Sequence, residues 1–195
     1  MKKNILARMH NDGIIHGLTS LQEIPSPRDI PSAVESLVRE FSEKYEVPFE
    51  SLNLPEFPEN INDLNLDEWV DQTSFSNDFK NLAKATLDVL ERELSIVESF
   101  QEFDRLLSQA ESTLNETEFY VFDDHIYVAK RSMEFWKAEV DGTKIWELHA
   151  SFLEGRSTRG PINWWKVFGC DCVGGFFGGP GGYIGASLIS VIMQY

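Results

Sequence analysis

The amino-acid sequence predicts an all-α single domain spanning residues 1–195. It divides into an acidic helical body (1–160) and a glycine-rich, apolar helical hairpin (161–195) packed into that body as a bundle. Three observations predict it. Apolar residues recur at three- and four-residue steps through most of the chain, the period of helices with one buried face. Glycines near the C-terminal end recur four apart, which on a helix stacks them into a strip without side chains. The charge is segregated: the chain carries a formal −15 at pH 7, yet from Pro161 onward only Lys166 and Asp171 are charged, and they cancel.

The first helix is expected over about residues 3–24, with Ile5, Met9, Ile15, Leu18 and Leu21 near one face. Gly13 and Gly17 inside it cost roughly 1 kcal/mol each relative to alanine, so they signal a kink or a close approach by another element. Pro25, Pro27 and Pro31 mark a turn. Ser32-Ala-Val-Glu35 has the spacing of a capping box. The helix behind it carries Val34, Leu37, Val38, Phe41 and Tyr45 and stops before Pro48. Residues 47–65 hold Pro48, Pro55 and Pro58, which exclude a long helix. Phe49, Leu52, Leu54, Phe57 and Ile61 give this loop apolar anchors on the bundle. A short helix with Trp69 is expected at 66–72.

The strongest periodicity follows: Phe79, Leu82, Leu87, Leu90, Leu94 and Val97, continued by Phe100, Phe103, Leu106, Leu107, Ala110 and Leu114. That run exceeds an ordinary globular helix. A break near Ser95 or Ser99 divides it in two, and Asn115 ends the second part. The next helix is expected to start at Asp123 or Asp124, both good N-caps, and to carry Ile126, Ala129, Met133 and Trp136. Residues 120–122 have a short strand as the alternative. Asp141-Gly142 marks a turn, and 154–160 form a polar, basic loop.

In the hairpin, Pro161 suits a first helical position. The pairs Gly174/Gly178, Gly175/Gly179, Gly178/Gly182 and Gly181/Gly185 are each four apart, so another helix can approach closely there. Pro180, inside Gly-Gly-Pro-Gly-Gly, marks a turn, and a second short helix is expected over 182–193. Two readings compete for this segment. In one it is buried in the bundle, its glycines admitting the other helices. In the other it inserts into a bilayer: Val173 to Met193 is an uncharged run of 21 residues, long enough to span, though it holds seven glycines and a central proline.

The composition excludes some function classes. A net charge of −15 opposes nucleic-acid binding, which needs a basic face, and opposes docking on anionic lipid. It favours solubility and a cationic partner. Met1-Lys2-Lys3 resembles the basic start of a signal peptide, but Arg8, His10, Asn11 and Asp12 interrupt the apolar run that should follow. The chain therefore reads as cytoplasmic unless a leader has been removed upstream. Cys170 and Cys172 do not make a disulfide framework.

Candidate chemistry is sparse, and no cofactor is implied. His10, His16, His125 and His149 form no metal-binding spacing. Cys170-Asp171-Cys172 is a weak metal signal, since helix neighbours two apart point in different directions; two buried thiols acting as small apolar groups are the plainer reading. Asp171 stands out, because a carboxylate inside an apolar helix is costly unless paired. Its candidate partners are His10 and Asn11 of the first helix, or Lys166. An internal hydrogen-bonded lock of His10, Asn11 and Asp171 is the favoured explanation, and a catalytic His10–Asp171 dyad the sharper one. No activated serine or cysteine stands beside a base, and no phosphate-binding glycine loop is present. Trp164 and Trp165 read as anchors, and Glu91, Glu93 and Glu98 as solvated helix surface.

At three places the sequence resembles a group of small uncharacterised bacterial helical proteins. His10-Asn11-Asp12-Gly13-Ile14 is similar to their early His-Asn-x-Gly element. Ser132-Met-Glu-Phe135-Trp136 is similar to their Ser-x-x-aromatic-Trp element. Trp165 with Asp171-x-x-Gly174-Gly175 and the glycine-rich end resembles their closing segment. The resemblance covers about a quarter of the chain and departs from the pattern at Phe176, Phe177 and the cysteine pair. It implies a helical fold in which the first helix and the tail belong together, and it implies no activity. In composition alone, the tail is similar to the glycine-zipper ends of pore-forming bacteriocins.

Three function classes follow. The first is a non-enzymatic structural or interaction protein with an unknown protein partner. The second is a membrane-active protein whose residues 173–193 insert into a bilayer. The third is a metal-dependent or hydrolytic enzyme using His10, Asp171 and a cysteine.

Overall fold

The computed structural model describes residues 3–21, 25–26, 28–46, 49, 52–92, 94–140 and 163–194. Among them the chain is all-α. Seven α-helices occur: α1 (Lys3–Ser20), α2 (Ile30–Tyr45), α3 (Leu66–Gln72), α4 (Asn77–Glu91), α5 (Ile96–Thr113), α6 (Glu116–Val140) and α7 (Trp164–Ile192), with a 3-10 turn at Ile61–Asp63 ahead of α3.

Side-chain caps set most of the helix starts. The Asn65 side chain accepts from the amides of Asp67 and Glu68 and opens α3. The Ser76 hydroxyl accepts from the Phe79 amide and opens α4. Ser95 and Glu98 form a reciprocal capping box that starts α5, and this is where the long apolar run divides. α4 buries Phe79, Leu82, Ala83, Leu87, Val89 and Leu90, while α5 buries Phe103, Leu106 and Ala110.

Four boundaries differ from expectation. α1 ends at Ser20. α2 begins at Ile30, with Asp29 as its N-cap and Pro31 in its first turn; Ser32 is no cap but donates its hydroxyl to the Asp29 carbonyl at 2.9 Å. Proline is preorganised for a first turn, so the helix starts earlier than the Ser-x-x-Glu spacing implies. Asn115 opens α6 rather than ending α5: its side-chain oxygen accepts from the Glu118 amide at 3.0 Å. Glu116 and Glu118 then place negative charge at the positive end of the helix dipole. Asp123 and Asp124 therefore lie inside α6, and 120–122 are helical, not a strand. The turn expected at 141–142, the loop at 154–160 and Pro161 lie outside the described residues.

α7 is the hairpin. Helical backbone runs over Trp164–Ile192, but the chain reverses in the middle. A Cβ placed on Gly174 would collide with the carbonyl oxygen of Gly182 and with the Ala186 side chain. On a straight helix, residues eight apart are separated by roughly 12 Å, so the two arms must lie side by side. The reversal sits at Gly179, whose φ of +54° is one that residues with a Cβ rarely adopt. Pro180 comes one residue later, at the start of the second arm.

The hairpin occupies the centre. It packs against α1, α2, α3, α4 and α6, while α5 lies outside on α4 and α6. Val167, Phe168, Val173, Ile184, Leu188, Ile189 and Ile192 are all buried, as expected of a helix that is apolar all round. Small residues let the neighbours in. Cβ atoms at Gly13 and Gly17 of α1 would strike Ile184 and Leu188, and one at Gly169 would strike Leu66. The side chains of Phe49 and Leu52, from the loop after α2, fill the space over Gly181 and Gly185.

Candidate functional site

Three elements converge on one carboxylate. α1 supplies His10 and Asn11, the first arm of α7 supplies Asp171, and α6 supplies Ser132 and Trp136, which share a face because they stand four apart. The Ser132 hydroxyl donates to Asp171 Oδ2. Trp136 Nε1–H donates to the same oxygen at 3.2 Å. His10 Nε2 faces that oxygen at 3.5 Å. His10 Nδ1 donates to the Asn11 side-chain oxygen at 2.9 Å. Asp171 Oδ1 and His10 Nε2 have no hydrogen-bond partner among the described residues. His10, Ser132, Trp136 and Asp171 are each at most 1% exposed.

This geometry constrains the chemistry. The Ser132 hydroxyl is hydrogen-bonded to the carboxylate, not to an imidazole, and both groups are buried. Hydrogen bonds to a charged acceptor contribute roughly 1.5–3 kcal/mol each, which offsets part of the cost of burying the carboxylate. Lys166 is not a partner of Asp171: its ammonium donates to the Leu64 carbonyl, tying the start of α7 to the loop before α3.

A second buried polar contact lies one residue along the hairpin. His125 of α6 donates Nδ1–H to the Cys172 carbonyl at 2.7 Å, and its ring stacks on Phe176 at 4.6 Å. The carbonyl can only accept, so the proton sits on Nδ1 and Nε2 is left bare, without a partner among the described residues. Burial pushes the imidazole down to about 4, and the carbonyl acts weakly in the opposite sense. Cys170 and Cys172 are free and buried. Burial, with the Asp171 charge behind it, pushes both thiols up, away from the thiolate that metals and electrophiles need. Among the described residues no three His, Cys, Asp or Glu side chains form a group that could hold a metal, and no helix is long and apolar enough to cross a membrane.

The structure brings His10, Asn11 and Asp171 together and adds Ser132 and Trp136, whose link to Asp171 has no local signal in the sequence. The glycines separate by role. Gly174, Gly175, Gly182 and Gly185 each face an atom that a Cβ would strike. Gly179 faces open space and departs from the expected helix contact; its role is the reversal. A groove of about 830 Å³ lies elsewhere, between the N-terminal end of α2, the loop 52–59 and the end of α7, and shares no residue with the Asp171 cluster.

Fold and site together define a class: an all-α bundle built around a buried hairpin with an enclosed polar cluster. No family model, curated protein or solved structure matches the chain.

Proposed function

We propose that this chain is a non-enzymatic helical protein that works through its surface, and that His10, Asn11, Ser132, Trp136 and Asp171 form a structural lock holding α1, α6 and the hairpin in register. One observation carries the reading: the groups best suited to chemistry, His10, Ser132, Trp136 and Asp171, are enclosed among the described residues. A hydrolytic or metal-dependent role for His10 and Asp171 requires a substrate path that this enclosure does not supply. Insertion of the hairpin would require α7 to leave five helices. Each of its arms spans only roughly 20 Å against a hydrocarbon core of roughly 30 Å. The three sequence elements shared with the small bacterial helical group supply His10, Ser132, Trp136 and Asp171, which supports kinship with that group.

Amide hydrogen exchange on the purified full chain tests the proposal. Amides of 167–192 should exchange only through global unfolding, at the rate set by overall stability. Exchange of this segment by a separate opening, with α4 and α5 still protected, would refute the lock and favour release of the hairpin. Flotation with liposomes would then identify a membrane as the destination.

A further inference from the structure

The groove of about 830 Å³ has features of a prepared binding face. Its floor is the end of the hairpin, Ile189 and Met193. One wall is the irregular strip 52–58, which contributes Leu54, Pro55, Phe57 and Pro58. That strip is held at both ends. Leu52 sits over Gly185, where a Cβ would come within 2.7 Å of its methyl group, and the Phe57 ring meets the edge of the buried Trp69 at 4.7 Å. Pro31, Pro55 and Pro58 all line the groove, and each fixes its own φ, which lowers the ordering cost of binding there.

Its rim is acidic. Among the described residues Glu35, Glu56 and Glu59 line it, with Arg28 as the cation. Glu35 already pairs with Arg39 at 3.0 Å, whereas Glu56 and Glu59 are exposed. The charge of −15 over the whole chain draws cations to this rim and repels both anionic membranes and a second copy of the chain.

We propose that this groove binds a short segment of a partner protein in which lysine or arginine alternates with apolar side chains, the apolar groups meeting Leu54, Phe57 and Met193 and the cations meeting Glu56 and Glu59. This deepens the reading of the chain as an interaction protein by naming the face and the chemistry of its partner.

The probe is a short fluorescent peptide of alternating lysine and leucine, titrated into the full chain and followed by anisotropy, with a glutamate–leucine peptide as its counterpart. The expected result is saturable binding of the basic peptide alone. The paired variant Glu56→Gln/Glu59→Gln should weaken it by about tenfold, and the paired variant Glu111→Gln/Glu116→Gln, which removes the same charge elsewhere, by less than about twofold. The Met193 methyl resonance should shift on binding. Equal weakening by both paired variants, a silent Met193, binding of the acidic peptide, or self-association in place of peptide binding would each overturn the proposal. The lock is judged separately by amide exchange, so an inert groove on a protected hairpin refutes this inference alone.

Discussion

Acidification tests the buried state of His125. A free imidazole titrates near 6.5, and burial holds this one down to about 4. The depressed value means the folded protein favours the neutral ring. Its contribution to stability is therefore complete above about pH 6.5 and is lost as the pH falls from there towards 4, because the unfolded chain binds a proton that the native state refuses. The structural cause is visible: Nδ1–H is committed to the Cys172 carbonyl, so charging the ring places a buried N–H at Nε2 with no partner among the described residues. Holding the ring at about 4 in place of 6.5 corresponds to about 3 kcal/mol over the whole window, of which about 2 kcal/mol is lost by pH 5. Urea unfolding of the wild type and of His125→Gln between pH 7.5 and 4 measures it. The glutamine amide can still donate to the carbonyl but does not titrate. Subtracting the two curves removes the carboxylates and the other histidines. The wild type should lose stability faster than the variant by up to about 1.4 kcal/mol per pH unit, and only within this window. Parallel curves would refute the claim that His125 is enclosed and neutral.

Other substitutions probe the hairpin and the caps. Gly174→Ala should cost about 3 kcal/mol or more by calorimetry or urea unfolding, since its methyl group meets backbone on the other arm. Gly179→Ala should cost only about 1–2 kcal/mol, the strain of a left-handed residue with open space around it; a ranking of the two in the opposite order would contradict the reversal described for α7. Asp171→Ala should destabilise by about 3–5 kcal/mol because it leaves Ser132, Trp136 and His10 around an empty site, and an unchanged urea midpoint would contradict that contact set. Ser95→Ala should remove the hydroxyl's half of the capping box, while the residue-95 amide keeps its bond to Glu98, for about 1 kcal/mol, seen as a fall in Tm of about 2–4 °C.

Much of the fold is legible in the sequence because it rests on local rules. The apolar period from Phe79 to Leu114 marks α4 and α5, and Ser95-x-x-Glu98 marks the boundary between them. Asn65 before Leu66 announces α3. The errors arise where two local signals compete. Asn115 and Asp123 are both plausible caps, and the acidic first turn at Glu116 and Glu118 decides for the former, while Glu118 is also tied across to Ser76 of α4 by two hydrogen bonds. Asp171 is legible as a carboxylate in an apolar context, and His10 and Asn11 as its partners by type. Ser132 and Trp136 are not, because their pairing with Asp171 spans more than thirty positions and leaves no periodic trace. The same holds for His125 and the Cys172 carbonyl: backbone acceptors carry no sequence identity.

The placement of α7 also orders events during synthesis. α1, α2, α3, α4 and α6 emerge from the ribosome before the hairpin they will surround, so the faces that they turn to it are made before it exists. Compaction must await the late arrival of residues 164–192. Until then those faces lack their partner, and a net charge of −15 opposes association between unfinished molecules.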